Sequence, residues 1–271
     1  MSKPIICFDF DGTLVDKNGR IHPRDIEILR DEDRVVFVPA TGRPLSSVRH
    51  AFEQNALDFE AAIPFPMILQ NGAVAYLPHE QLFMETSFSV EVQTALLKIP
   101  QRYPQVCCLL FGVKKLEIMR PNSLSRNLLK RFDLDVELYE TANQRYTKIM
   151  YLSDSETVMR SLSDEIRHLP VEASFSLPTV FELTVKGIDK GQVLSKLLIS
   201  LSLEDSKIVA AGDGENDLPL FTVADISFCP TNSPVEIKKQ ANAEIKIEQT
   251  GLLTPMLIEA DIDVPKVDGA K

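Results

Sequence analysis

The 271 residues, 44% hydrophobic and 25% charged, are ordinary for a globular chain and allow one elaborate domain or a core with an inserted second one. The net charge of −10, with no Lys/Arg block carrying interleaved aromatics, argues against nucleic acid as a partner. No apolar run approaches the roughly 18 residues that span a bilayer. The apolar stretch at residues 5–10 is broken by acids before it could serve as a signal-peptide core. The expectation is a cytoplasmic protein with no membrane partner. The four cysteines, Cys7, Cys107, Cys108 and Cys229, show no CxxC spacing and lie in or beside apolar runs, as reduced core cysteines do.

Residues 4–11 form a near-continuous apolar run ending in acids and Gly12, which suits a buried parallel strand. Residues 34–43 repeat that grammar, a strand running into a polar loop, and the amphipathic stretch 44–54 reads as a helix with Pro44 in its first turn. From about residue 85 to 178 the rhythm changes. Helix-like stretches at 89–99, 124–132 and 155–168 alternate with apolar runs at 106–111, 116–119, 146–152 and 171–175. Helices on one face of an antiparallel sheet fit this order, with hinges around 78–85 and 176–180. After a helix over 192–200, residues 206–213 resume the strand-to-loop pattern, followed by a helix over about 215–223, a short strand at 225–229 and a helical stretch at 234–241. The last ten residues or so are polar and read as a loose tail. The expected fold is α/β: a doubly wound parallel sheet from 1–84 and 179–271, with an inserted α+β domain at 85–178.

Phe8-Asp9-Phe10-Asp11-Gly12-Thr13-Leu14 places two carboxylates two residues apart at a strand end. Like charges that close are costly, and a divalent cation relieves them; hard oxygen ligands suit Mg²⁺ rather than zinc. Alone, the pattern could equally be an acidic loop capping a strand. Three more elements occur in order at strand ends or helix starts. Ala40-Thr41-Gly42-Arg43 offers a hydroxyl and backbone amides at a helix N-terminus. Lys190-Gly191 puts a cation at a helix start, where a point charge can hold a phosphoryl oxygen. Gly212-Asp213-Gly214-Glu215-Asn216-Asp217 returns carboxylates to the sheet edge. Singly, Thr41 reads as a helix cap and Lys190 as a solvated lysine; in series they argue for one site.

These four motifs, with Gln70-Asn71-Gly72-Ala73, Phe181-Glu182-Leu183 and the large insert, resemble the haloacid dehalogenase superfamily, specifically its Cof-like sugar-phosphate phosphatases. The resemblance covers nearly the whole chain; the insert matches in size and position only. It implies that Asp9 is the nucleophile and that Asp11 protonates the leaving oxygen and then activates water. It implies further that Thr41, Gly42 and Lys190 hold phosphoryl oxygens and that Asn216 supports the phosphate side of its loop. Mg²⁺ would be bound by Asp9, the Asp11 backbone carbonyl, Asp213 and Asp217. Glu215 and Asp16 read as exposed loop acids, and His22, His50, His79 and His168 lie outside every motif.

The implied activity is Mg²⁺-dependent hydrolysis of a small phosphorylated metabolite through a phospho-aspartate on Asp9. A phosphomutase, or a non-enzymatic phospho-receiver or ligand-binding regulator, remain as alternatives. A receiver would be served by one acceptor aspartate and would need neither a second acid nor the insert. Substrate identity and oligomeric state are left open by the sequence.

Overall fold

The structure, a computed structural model, describes residues 2–113, 115–142 and 144–263. Strand β1 (Ile5–Phe8) is buried at every position, as a central parallel strand must be. After it come α1 (Pro23–Asp31), β2 (Val36–Pro39) and α2 (Leu45–Gln54). Pro44 is the N-cap of α2 rather than a first-turn residue, its extended φ/ψ being non-helical. Three short strands follow, β3 (Met67–Leu69), β4 (Val74–Leu77) and β5 (Gln81–Glu85), in an antiparallel sheet of their own.

The middle of the chain contributes α3 (Val90–Arg102), β6 (Cys107–Phe111), β7 (Leu116–Met119), α4 (Ser123–Phe132), β8 (Val136–Leu138), β9 (Lys148–Leu152), α5 (Glu156–Ile166), β10 (Val171–Leu177) and β11 (Val180–Val185). Their strands form one six-stranded sheet, ordered β10-β11-β9-β6-β7-β8. It is antiparallel except between β7 and β8. Period-2 alternation splits it. Cys108, Leu110, Tyr151 and Leu183 pack under α3 and α5, while Leu109, Phe111, Met150 and Val180 lie on the other face, partly beneath α4. Helices thus cover both faces, because α4 carries a second apolar stripe, Leu124, Leu128 and Leu129, that the one-face expectation did not allow for.

The chain then returns through α6 (Lys190–Ser200), β12 (Ile208–Ala211), α7 (Leu218–Val223), β13 (Ile226–Pro230), α8 (Val235–Lys238), β14 (Ala243–Ile245), α9 (Ile247–Thr250) and α10 (Leu253–Glu259). The parallel sheet has the order β14-β13-β12-β1-β2. Ile6 and Phe8 of β1 point to the layer of α1, α2 and α10; Ile5 and Cys7 point to that of α6 and α7. Helices on both faces make the core a doubly wound α/β fold. All four cysteines are free and buried.

Two expectations shift. Residues 78–85 form a 3₁₀ turn and strand β5, and 176–180 close the β10–β11 hairpin, so neither is a bare hinge. Because β11 belongs to the six-stranded sheet, we propose that the inserted unit ends at Val185 rather than at residue 178 and pivots at residues 86–88 and 186–188. The polar tail falls, from residue 264 on, outside the described residues. Among the described residues, no helix is long and apolar enough to cross a membrane.

Candidate active site

In a doubly wound sheet, ligands bind beyond the carboxyl ends of the strands, where crossovers leave in opposite directions. Here β1 runs between β2 and β12, and its chain emerges into Asp9, whose N–H donates to Ala211 O at 3.0 Å. The chain then turns sharply through Gly12, at φ +84, back to Val15. A Cβ at Gly12 would stand 2.2 Å from Asp213 Oδ2, so only glycine lets the two acidic loops approach. From β12 emerges the second loop. Both oxygens of Asp217 are engaged there, Oδ2 accepting from the N–H groups of Asp213 and Gly214 at 3.0 Å and Oδ1 from Lys190.

Lys190 ties the loops together. Its ammonium, fully buried at the first turn of α6, lies 2.7 Å from Asp9 Oδ1 and 2.6 Å from Asp217 Oδ1. Burial would push its pKa down, but the two carboxylates outweigh that and hold it above the ordinary lysine value. Asp9 is raised well above the usual carboxylate range by burial, with Asp217 and Asp213 adding to the effect and Lys190 opposing it. Burial, then Asp217, raises Asp213 to about 6. Carboxylate oxygens of Asp9, Asp213 and Asp217 lie within 4.8 Å of one another.

Thr41 enters at the end of β2. It is 1% exposed, with its N–H on Ile68 O and its carbonyl on Asn71 N–H. Asn71 and Gln70 adopt consecutive left-handed conformations, at φ 59 and 52, an arrangement that non-glycine residues keep only where the surroundings hold it. Asn216 Nδ2 donates to Asn71 Oδ1 at 3.2 Å. Asp11 does not join the carboxylate cluster: Arg43 grips it bidentately, Nη2 to Oδ1 at 2.6 Å and Nε to Oδ2 at 2.8 Å. The guanidinium also lies over Phe132 of α4, 4.7 Å from the ring centroid. A cavity of about 1500 Å³ opens over these residues, between the parallel sheet and the six-stranded one.

A family profile described as haloacid dehalogenase-like hydrolase matches residues 6–251. The chain belongs to this family. Similar sequences include a phosphoglycolate phosphatase of Methanopyrus kandleri, 26% identical over 90% of this chain and 91% of the relative. Another is the 5-amino-6-(5-phospho-D-ribitylamino)uracil phosphatase of Bacillus subtilis, 25% identical over 89% and 92%. Among solved structures, a Thermotoga maritima protein superposes with a TM-score of 0.80 at 23% identity, covering 98% of this chain and 99% of its own. A subclass IIB sugar phosphatase of the superfamily does so at 0.80 and 19%, covering 96% and 100%. These two likenesses show a shared fold.

The expected site residues Asp9, Thr41, Gly42, Asp213 and Asn216 line the floor of one cavity, Lys190 and Asp217 lie just beneath them, and Asp11, held by Arg43, is part of the same lining. Glu215 and Asp16 are exposed. His22 caps α1 by accepting from Arg24 N–H, and His50 pairs with Asp133 at 3.1 Å. The sequence reading gave Arg43 no role of its own. It also passed over Lys148, a buried lysine at the start of the apolar strand β9, although a cation in such a run is itself a signal that a partner faces it.

Proposed function

We propose that this chain is a magnesium-dependent phosphatase of a small phosphorylated metabolite, a sugar phosphate or similar phosphomonoester, that works through an aspartyl phosphate on Asp9. That it is a phosphoric monoester hydrolase rests on its family and on phosphatase relatives matching nearly its whole length. Membership of a hydrolase family sets aside the non-enzymatic alternative. The observation that carries the finer reading is the cluster of Asp9, Asp213 and Asp217 around a buried ammonium at the floor of a cavity.

Hard carboxylate oxygens within 4.8 Å fit Mg²⁺. Asp9 and Asp213 would hold it, with the Asp11 carbonyl; Asp217, whose oxygens already serve Lys190 and two loop amides, would act mainly by holding the loop. Bound there, the ion would neutralise charge on the phosphoryl oxygens, which phosphoryl transfer needs more than a strong base.

A carboxylate oxygen of Asp9 attacks phosphorus and the ester oxygen leaves with a proton from Asp11. A water deprotonated by Asp11 then attacks the phospho-aspartate, releasing inorganic phosphate and restoring Asp9. For the first step one Asp11 oxygen has to leave Arg43 and face the ester oxygen. Thr41 and Lys190, with the amide of Gly42 and Asn216, orient the phosphoryl group. The unit above the cavity acts as a cap that excludes polymers and shields the site from bulk water. The four free cysteines of the chain suit the cytoplasm.

The test is a panel of phosphorylated metabolites ranked by kcat/KM with Mg²⁺, with EDTA, and with EDTA followed by excess Mg²⁺. Activity should vanish on chelation and return with magnesium, while Ca²⁺, with longer bonds and more ligands, substitutes poorly. An undiminished rate after exhaustive chelation would contradict the mechanism. Transfer to a sugar acceptor in preference to water would identify a phosphomutase.

A further inference from the structure

One ion pair of the six-stranded unit, Lys148–Glu182, is buried against the cavity and lies outside the four catalytic motifs. Lys148 of β9 and Glu182 of β11 sit on the sheet face turned to the cavity, their side chains 2% and 12% exposed, with Nζ and Oε2 2.5 Å apart. A buried ion pair is a weak source of stability, since apolar residues of like volume often serve as well. Two further hydrogen bonds of the pair leave its own domain. Lys148 Nζ donates to Gly42 O at 3.0 Å. Glu182 Oε2 accepts from Asn71 Nδ2 at 3.1 Å, and Asn71 Oδ1 accepts from Asn216 Nδ2 at 3.2 Å. One ion pair therefore reaches both flanks of the phosphate site.

We propose that Lys148 and Glu182 are positioning residues which the cap plugs into the phosphate site as it closes: Lys148 sets the Thr41-Gly42-Arg43 turn, and Glu182 sets Asn71 and Asn216. The proposal rests on the phosphatase reading above. A cation on the Gly42 carbonyl polarises the peptide between Gly42 and Arg43, whose N–H donates to Thr41 Oγ1 at 3.2 Å. With its oxygen engaged as an acceptor, the Thr41 hydroxyl keeps its hydrogen for a phosphoryl oxygen. The fit depends on Gly42, because a Cβ there would stand 3.0 Å from Asn71 Oδ1 and 3.4 Å from Lys148 Nζ. On the other flank, Glu182 stays ionised. Burial alone would raise its pKa, but Lys148, with hydrogen bonds from Ser176 and Asn71, holds it below the usual value. Donors aimed at phosphoryl oxygens are then fully set only with the cap seated, which couples closure to catalysis.

The test uses Lys148→Met, Glu182→Gln, the double variant and Lys148→Arg in the full-length protein. Calorimetry measures affinity for inorganic phosphate in Mg²⁺, and kinetics gives kcat and KM for p-nitrophenyl phosphate, whose simple leaving group makes little use of cap specificity. In Lys148→Met, phosphate affinity should fall about tenfold and kcat about 10–100-fold, the usual scale of a misplaced phosphoryl contact. The Mg²⁺ concentration for half-maximal rate should stay constant, since no metal ligand is touched. Lys148→Arg should recover part of both losses. If a single variant leaves a charge unpaired and does not fold, the double variant carries the test. A folded double variant with wild-type phosphate affinity and kcat would overturn the proposal and reduce the pair to packing. If the wild type binds phosphate but hydrolyses no ester, the phosphatase reading fails while the affinities still decide the pair's role. A wild type that binds no phosphate overturns both.

Discussion

Lys190 stands at the first turn of a helix, where the macrodipole disfavours a cation, and is fully buried, where desolvation disfavours it again. Two carboxylates at 2.6 and 2.7 Å outweigh both effects. Lys190→Met would leave Asp9 and Asp217 facing each other without a counter-charge. Without Mg²⁺ it should lose about 3–5 kcal/mol in urea unfolding, as when one partner of a buried pair is removed. Added Mg²⁺ should restore part of that loss, and wild-type stability in the variant would show that the carboxylates are neutral as folded. Asp9→Asn keeps the size of the side chain but removes its nucleophilic oxygen pair, so turnover should be abolished with the fold intact. A folded Asp9→Asn protein with more than about a tenth of wild-type activity would overturn that assignment. Asp11→Asn loses proton transfer and one of the two Arg43 contacts and should slow turnover about 10²–10⁴-fold; full activity would move the general acid elsewhere.

Element by element, legibility followed how local the cause is. β1, β2, β12 and β13 could be read because each is an apolar run stopped by a polar loop; three of the four motifs sit on the stops of β1, β2 and β12, and the fourth opens α6. The α1 helix could not, since its nine residues hold only three apolar side chains and its most buried acid, Asp25, reads as a surface charge. Its reason lies at the other end of the chain: Asp25 accepts from Leu252 and Leu253 N–H at 2.8 Å and so anchors the start of α10. The same holds for the Lys148–Glu182 pair, which needs two strands and a distant loop to have a partner at all. Burial raises Asp25 to about 6 against the two amides that lower it. A raised carboxyl keeps its proton in the folded state after the unfolded chain has lost it. Its stabilising contribution is thus complete below the unfolded value of 3.8 and is lost as pH rises to about 6. Asp25→Asn removes this titration and leaves one amide unsatisfied, which costs about 1–3 kcal/mol. In urea unfolding, the advantage of wild type over Asp25→Asn should therefore shrink between pH 4 and 7, by up to about 3 kcal/mol for two pKa units. An advantage that stays flat or grows with pH would mean that Asp25 is ionised in the fold.

At the scale of the whole molecule, the proposed chemistry and the proposed selection fall to different sheets. Every proposed nucleophile, acid and metal ligand comes from the parallel sheet and its loops, whereas the upper wall of the cavity comes from the cap, including Phe111, Leu128 and Met150. The core's apolar clusters are built almost wholly from its own residues, with Val113 and Val185 the cap's partly buried contributors, so the core has the packing to stand without it. Excising residues 87–186 and joining the ends with a short Gly/Ser linker should leave the carboxylate cluster in place and open it to solvent. Such a protein should retain Mg²⁺-dependent hydrolysis of p-nitrophenyl phosphate, slowed at least about 10²-fold because the phosphate loop loses Lys148 and Glu182 along with the shield from water. Its preference among natural metabolites should collapse. Contacts remote from phosphorus supply the binding energy that orients a good substrate, so their removal lowers kcat as well as affinity and does so most for the best substrates. The check is a kcat/KM ranking over the same metabolite panel for both proteins. If the cap-less protein slowed uniformly and kept the full-length ranking, specificity would reside in the parallel-sheet domain and the cap would serve only to exclude water.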